Sequence, residues 1–270
     1  MRVVALIQAR MGSTRLPNKV MKEITGKPMI QLLLERLSQS KEINEIVIAS
    51  SIDKKNDTLD TFVSDLGYVC SRGSENDVLS RFYSAAKESC ANVVVRITGD
   101  CPLVDSNLVD QVIQKYKSAN VDYVSNISPP TFPDGLDIEV FSFEALTKAQ
   151  NETISKFDRE HVTPYLRNSN VFTQASISYT QDLSSLRWTV DEPRDLDVIK
   201  TVFEHFHPKV DFSWLEVLEL QKQQPEIFER NKNIIRNEGA KMGSGQKLYK
   251  RAKQLIPGGT MLLSKRPEMF

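Results

Sequence analysis

The chain opens on an apolar run, residues 3–9, of strand length and without the polar alternation of a half-exposed strand. Such a run predicts a strand covered on both faces. Pro28 then stands ahead of Met29, Ile30, Leu32, Leu33, Leu34 and Leu37, a spacing that predicts a helix with proline at its first position. The alternation continues, with strands predicted over residues 45–50, 68–71, 92–98 and 121–125. Helices are predicted over residues 57–66, 77–89 and 107–117. Parallel strands need crossovers, and helices on short links supply them. The expected fold class is therefore α/β, a Rossmann-like, mostly parallel central sheet flanked by helices.

Past Asn126 the rhythm changes. A Pro-rich turn region (128–135) leads into residues 136–141, LDIEVF, whose alternation predicts a strand with Asp137 and Glu139 on one face. A helix is predicted over 158–167 and a short strand over 186–190, and a further helix opens at Asp191-Glu192-Pro193 and runs to about His207. This region reads as a small strand-rich insertion followed by helices. From residue 231 to 245 the sequence is polar and Gly-containing, as linkers are. Residues 246–256 then form a basic amphipathic pattern stopped by Pro257-Gly258-Gly259. The expected organisation is a main domain over 1–230, a linker over 231–245 and the start of another segment over 246–270.

Composition narrows the function classes. Lys+Arg and Asp+Glu both number 35, so the balance argues against a protein whose main task is wrapping nucleic acid or an anionic membrane. Apolar residues at 40% of 270 suffice for a large core, and no run approaches the ~20 residues that span a bilayer. Cys70, Cys90 and Cys101 are odd in number and lack CxxC spacing, which predicts a cytoplasmic protein without a disulfide framework or zinc site.

Candidate chemistry lies where predicted strands end. The exit of the first strand reads Gln8-Ala9-Arg10-Met11-Gly12-Ser13-Thr14-Arg15-Leu16-Pro17-Asn18-Lys19. Three cations and a Gly/Ser loop at the carboxyl edge of such a sheet suit an anion such as phosphate. The loop is neither GxxxxGK[ST] nor GxGxxG, and a solvated basic connection is the alternative. Asp100 follows the strongest strand and precedes Pro102, a place suited to a hard cation, with a turn or N-cap role as the alternative. Asp191, before Pro193, repeats the arrangement and carries the same alternative. A triphosphate with Mg2+ calls for this combination of cations and acids. Cys101 reads as small and buried, and Trp188 and Phe141 read as core.

The runs QARMGSTRLPNKV, RGSENDVLSRF, RITGDCPL, FPDGLDIEVF, REHVTPYLR and RWTVDEPRDL resemble the spore-coat polysaccharide type of cytidylyltransferase, grouped with the CMP-Kdo and CMP-acylneuraminate synthetases. The resemblance extends from Met1 to about Phe206. It implies a nucleotidyltransferase of glycosyltransferase-A-like fold, with CTP as donor, a sugar or sugar acid as acceptor and Mg2+ as cofactor. It implies a triphosphate loop of Arg10, Gly12, Ser13, Arg15 and Lys19. Nucleobase surroundings would come from Gln8, Ala9, Arg72 and Ser74, and metal carboxylates from Asp100 and Asp191. Arg10, Lys19 and Asp100 would carry the catalytic charge work. Asp137, Glu139, Arg159 and His161 are candidate sugar contacts, with a solvated face as the alternative for the acid pair and a general base or a structural residue as the alternatives for His161. Arg159 or Arg187 could meet an acid acceptor. Similar synthetases are dimers, so a homodimer is expected.

Residues 245–260 resemble the opening of a glutamate-1-semialdehyde-aminomutase-like, pyridoxal-phosphate aminotransferase. That likeness implies a natural fusion cut short here, with a basic dimer arm as the alternative. The rival functional readings are a nucleotide-sugar glycosyltransferase and a non-catalytic nucleotide-binding domain serving the aminotransferase. Asp100-Cys101-Pro102 lacks the second acid of a DxD pair, which weighs against the first.

Overall fold

The opening apolar run becomes β1 (Val3–Gln8), paired in parallel with β4 (Glu45–Ser51) on one side and β6 (Val93–Thr98) on the other. Every β1 residue from Val3 to Ile7 is buried, which is why the run carries no polar alternation. A computed structural model describes residues 1–234, and Met1–Asn231 form one compact unit. The expected 246–270 segment and most of the 231–245 linker lie outside the described residues.

The seven-stranded sheet has the order β5-β4-β1-β6-β8-β7-β9, with β5 (Val69–Gly73), β7 (Tyr123–Ser125), β8 (Glu139–Ser142) and β9 (Gln174–Ser176). Only β8 runs against the others: it is antiparallel to both β6 and β7. The segment after Asn126 thus adds its strands to the central sheet, and the short hairpin of β2 (Glu23–Ile24) and β3 (Lys27–Pro28) stands apart.

One face of the sheet is covered by α1 (Met29–Leu37), α2 (Asp57–Asp65), α4 (Ser106–Ala119), α8 (Pro193–Phe206) and α9 (Trp214–Gln223). The other carries α3 (Val78–Glu88), α5 (Phe143–Glu152), α6 (Lys156–His161) and α7 (Pro164–Asn168), and α10 (Pro225–Phe228) follows α9. Caps fix several starts. Asp77, Asp105 and Ser142 accept hydrogen bonds from the backbone N–H three residues on, at 3.0, 2.9 and 2.9 Å.

Two expectations change. The helix predicted over 158–167 is two helices, α6 and α7, broken where buried Val162 adopts a left-handed φ of 71°. The strand predicted over 186–190 is an extended segment with one bridge, Arg187 to Asp134. Its neighbours are turns rather than strands, so no ladder forms: Trp188 N–H donates to Asp134 O and Val190 N–H to Asp100 O, at 2.7 and 2.8 Å.

Candidate active site

β1 delivers the chain to the carboxyl edge of the sheet between β4 and β6, and the cationic loop begins there. The loop is built by local bonds. Met11 N–H donates to the side-chain oxygen of buried Asn56 at 2.8 Å, Ser13 N–H to Met11 O at 3.0 Å, and Leu16 N–H to Ser13 Oγ at 3.3 Å. Gly99, after β6, donates its N–H to Gln8 O at 2.9 Å, and a Cβ there would meet Ala9 Cβ at 3.0 Å. Glycine lets the two strand exits touch, and Ala9 is buried by that contact. Gln8 accepts from Arg96 Nη2 at 3.0 Å through its side-chain oxygen.

Lys19 is the centre of the arrangement. Its Nζ donates to Asp100 Oδ2 at 2.9 Å, Asp191 Oδ1 at 2.9 Å and Val190 O at 3.0 Å, so residues from three distant parts of the chain meet on one nitrogen. Burial alone would lower the Lys19 pKa, but Asp100 and Asp191 outweigh it and hold the ammonium form above its ordinary range. Asp100 moves the other way. Burial opposes its charge, yet Lys19 and nearby hydrogen bonds bring its pKa down to about 2. Arg15 adds a second cation on Asp191 Oδ1, at 3.0 Å.

The N-cap alternative for Asp191 does not hold. The α8 capping box is formed by Glu192 and Asp195, and Asp195 Oδ2 accepts from both Asp191 N–H and Glu192 N–H, at 2.9 and 3.0 Å. The Asp191 carboxylate is thereby left to face the cations. Asp100 likewise caps no helix, since Asp105 caps α4.

Beneath Asp191 lies a polar network that sequence reasoning missed. Arg187, 6% exposed, holds fully buried Asp195 through two bonds of 2.9 Å and Asp134 through one of 3.0 Å. Buried Asn231 donates to Asp195 Oδ1 at 2.9 Å and to Arg187 O at 3.2 Å, so the start of the expected linker belongs to this unit. Arg187 is committed to carboxylates rather than presented to an acceptor. The only local signal was the RWTVDEPRD spacing, which places both residues near the acid but does not reveal their pairing.

Arg10 pairs with Glu75 at 2.7 Å, and Lys55 lies 3.5 Å from the same Glu75 oxygen. Between the ends of β4 and β5 is an open groove of about 730 Å³ lined by Ser51, Ile52, Asp53, Lys54, Gly73, Ser74 and Glu75. Ser74 therefore sits where a flat ring could enter beside the cationic loop. Arg72 does not line it. Its guanidinium binds Ser51 O and Asp53 O, both at 3.1 Å, and pairs with Asp57 and Asp60, clamping the loop after β4. Buried Arg81 supports the groove from α3, donating to Ser74 O at 2.9 Å; burial and nearby Arg10 push its pKa down to about 10.

The four candidate sugar contacts separate. Glu139 is 2% exposed, bonded to Arg96 and to Tyr123 Oη at 2.6 Å, with Arg167 Nε 3.9 Å away, so it is an interior ion rather than a polar face. Arg159 is bound to Asp77 at 2.8 Å and to the α5 end through Gln150 and Thr153. His161 ends α6 with its ring 4.4 Å from that of Phe157. Asp137, half-buried, precedes β8 and lies near enough to Cys101 to join burial and Asp100 in pushing that thiol far up. Cys101, Trp188 and Phe141 are buried, as read from the sequence.

A family model described as cytidylyltransferase matches residues 4–234. The chain belongs to the cytidylyltransferase family. It is 30% identical over 232 residues to the spore coat polysaccharide biosynthesis protein SpsF of Bacillus subtilis, covering 83% of this chain and 95% of that one. It is 28% identical over 199 residues to 3-deoxy-manno-octulosonate cytidylyltransferase 2 of Hydrogenovibrio crunogenus, covering 73% of each. A solved cytidylyltransferase from Leptospira borgpetersenii superposes with a TM-score of 0.82 at 33% identity, over 87% of this chain and all of that one. This cytidylyltransferase is therefore a CTP-dependent nucleotidyltransferase of the SpsF and CMP-Kdo synthetase type, on the Rossmann-like fold expected from its alternation. Among the described residues no helix is long and apolar enough to cross a membrane.

Proposed function

We propose that this cytidylyltransferase couples CTP to a sugar or sugar acid, giving a CMP-sugar and pyrophosphate for surface polysaccharide or glycoconjugate synthesis. The observation that carries the reading is the convergence of Asp100 and Asp191 on Lys19, with Arg15 on the same carboxylate and Arg10 at the mouth of the groove. An acceptor hydroxyl oxygen forms a bond to the α-phosphorus, the bond to the bridging oxygen breaks, and pyrophosphate leaves with that electron pair. The hydroxyl proton passes to solvent. Arg10, Arg15 and Lys19 offset the phosphate charge and fix the in-line geometry, the two contributions that dominate such transfers.

The donor set fits Mg2+ entering with nucleotide. Two hard carboxylates face one point, and among the described residues no group of three His, Cys, Asp or Glu could cage an ion unaided. Mg2+ is commonly held by one or two carboxylates together with phosphate oxygens and water. Asp100 and Asp191 would hold it; when bound, it supplies charge neutralisation and a more acidic acceptor hydroxyl. The groove beside Ser74 suits the cytosine ring. Charge supports an acid acceptor: Arg96 and Arg167, with side chains 15% and 30% exposed, surround the single carboxylate of Glu139.

The test is to incubate the protein with CTP, Mg2+ and a panel of Kdo-like acids, nonulosonic acids and neutral sugars, and to follow pyrophosphate. Release matched by a CMP-linked product with at least one acceptor is expected. CTP binding without release across neutral and acidic sugars alike would refute the reading and leave a nucleotide-binding domain.

A further inference from the structure

Lys19 does more than point a charge at a crevice. Its ammonium has three N–H donors, and three oxygens take them: Asp100 Oδ2, Asp191 Oδ1 and Val190 O, at 2.9, 2.9 and 3.0 Å. The side chain is only 13% exposed. A divalent ion gripped by the same two carboxylates would need the volume this nitrogen fills. Two cations cannot share it, because like charges about 3 Å apart in a poorly solvated cleft repel strongly. The competition is sharpened on Asp191, whose Oδ1 also meets Arg15 at 3.0 Å and whose Oδ2 lies 3.5 Å from Arg187.

We propose that Lys19 is the resident cation of the acid pair: it keeps Asp100 and Asp191 closed to a free divalent ion and releases them only when nucleotide phosphate takes over its ammonium. This rests on the reading that the two acids hold the ion in the loaded enzyme. Lys19 and Arg15 then have two sets of partners, carboxylates before nucleotide arrives and phosphates afterwards. Nucleotide and divalent ion must consequently strengthen one another's binding, since such coupling is reciprocal. A stray divalent ion is excluded from the acids until a triphosphate is there to be activated.

The experiment is a Mn2+ titration of the full 270-residue chain followed by the electron paramagnetic resonance signal of free Mn2+, which disappears on binding. Wild type, Lys19→Met and Lys19→Gln are compared without nucleotide, after circular dichroism confirms native folding. Wild type is also titrated with a non-reacting α,β-methylene analogue of CTP, against the analogue alone. Wild type without nucleotide is expected to leave the signal nearly undiminished. Either Lys19 variant should bind one Mn2+ at least about tenfold more tightly, and adding Asp100→Asn should abolish that gain. Wild type with the analogue should bind Mn2+ beyond what the analogue binds alone.

Free wild type binding Mn2+ as tightly as both variants would overturn the role of Lys19 while leaving the metal reading intact. Variants without a site, beside wild type that gains one with the analogue, would do the same. No site in any protein under any condition would remove the metal reading and this inference together. The wild-type arms need no variant: if both substitutions misfold, free wild type that binds Mn2+ as tightly as the analogue-loaded protein still overturns the inference.

Discussion

Asp100 shows how an acid at a strand end becomes useful. Its pKa is brought from an ordinary 3.8 down to about 2, because Lys19 and nearby hydrogen bonds together outweigh the burial that opposes its charge. A carboxylate with a depressed pKa in the folded state adds stability that is present above the unfolded value and is lost as pH falls through the folded one. Between about pH 4 and pH 2, then, wild type should lose stability more steeply than Asp100→Asn, measured as urea midpoints at each pH. Arg187 is the other residue with a sharp expectation. It pairs with Asp195, which has no solvent exposure, so Arg187→Met strands a buried carboxylate. Breaking such a pair on one side costs about 3–5 kcal/mol, seen as a lower denaturant midpoint at unchanged slope. An Arg187 that merely faced solvent or an acceptor would leave the midpoint where it was.

At the level of elements, the site depends on segments that are not regular structure. Residues 186–190 carry Asp191 to Lys19 as an extended strip held by Asp134 and Asp100 backbone oxygens. Gly135 lies against that strip with a φ of +113°, and a Cβ there would come within 2.6 Å of Trp188 C and Thr189 N. Gly135→Ala therefore meets both backbone strain and fixed backbone atoms. A loss of about 1–3 kcal/mol or more is expected, together with a fall in kcat greater than any change in KM for CTP, because the strip that places Asp191 must shift. Equal kcat in the variant would show that this placement does not matter. The break between α6 and α7 is of the same kind. The helical pattern was readable, but the turn at Val162 was not, because a buried β-branched residue gives no local sign of a left-handed backbone.

For the whole molecule, the boundary of the folded unit can be tested through Asn231. A chain ending at Ile234 keeps the Asn231 bonds to Asp195 and Arg187, and one ending at Arg230 loses them. The shorter chain should be less stable by about 1–3 kcal/mol, the cost of leaving a buried acceptor unpaired, by thermal or denaturant unfolding. Equal stability of the two would place the boundary earlier. The sequence by itself determined the strand–helix alternation, the fully covered first strand, and the cations and acids that stand where strands end. These follow from local periodicity and from residue types whose chemistry is the same wherever they lie. Only the tertiary structure decided which charged groups are available. It placed Asp191 beyond the capping box of α8 and set it with Asp100 on Lys19, and it spent Arg159, Arg187 and Glu139 on partners within the fold. It also turned β8 antiparallel between β6 and β7. A charge's partner is fixed by chain crossings between residues as far apart as 19 and 191, and short-range pattern carries no record of those crossings.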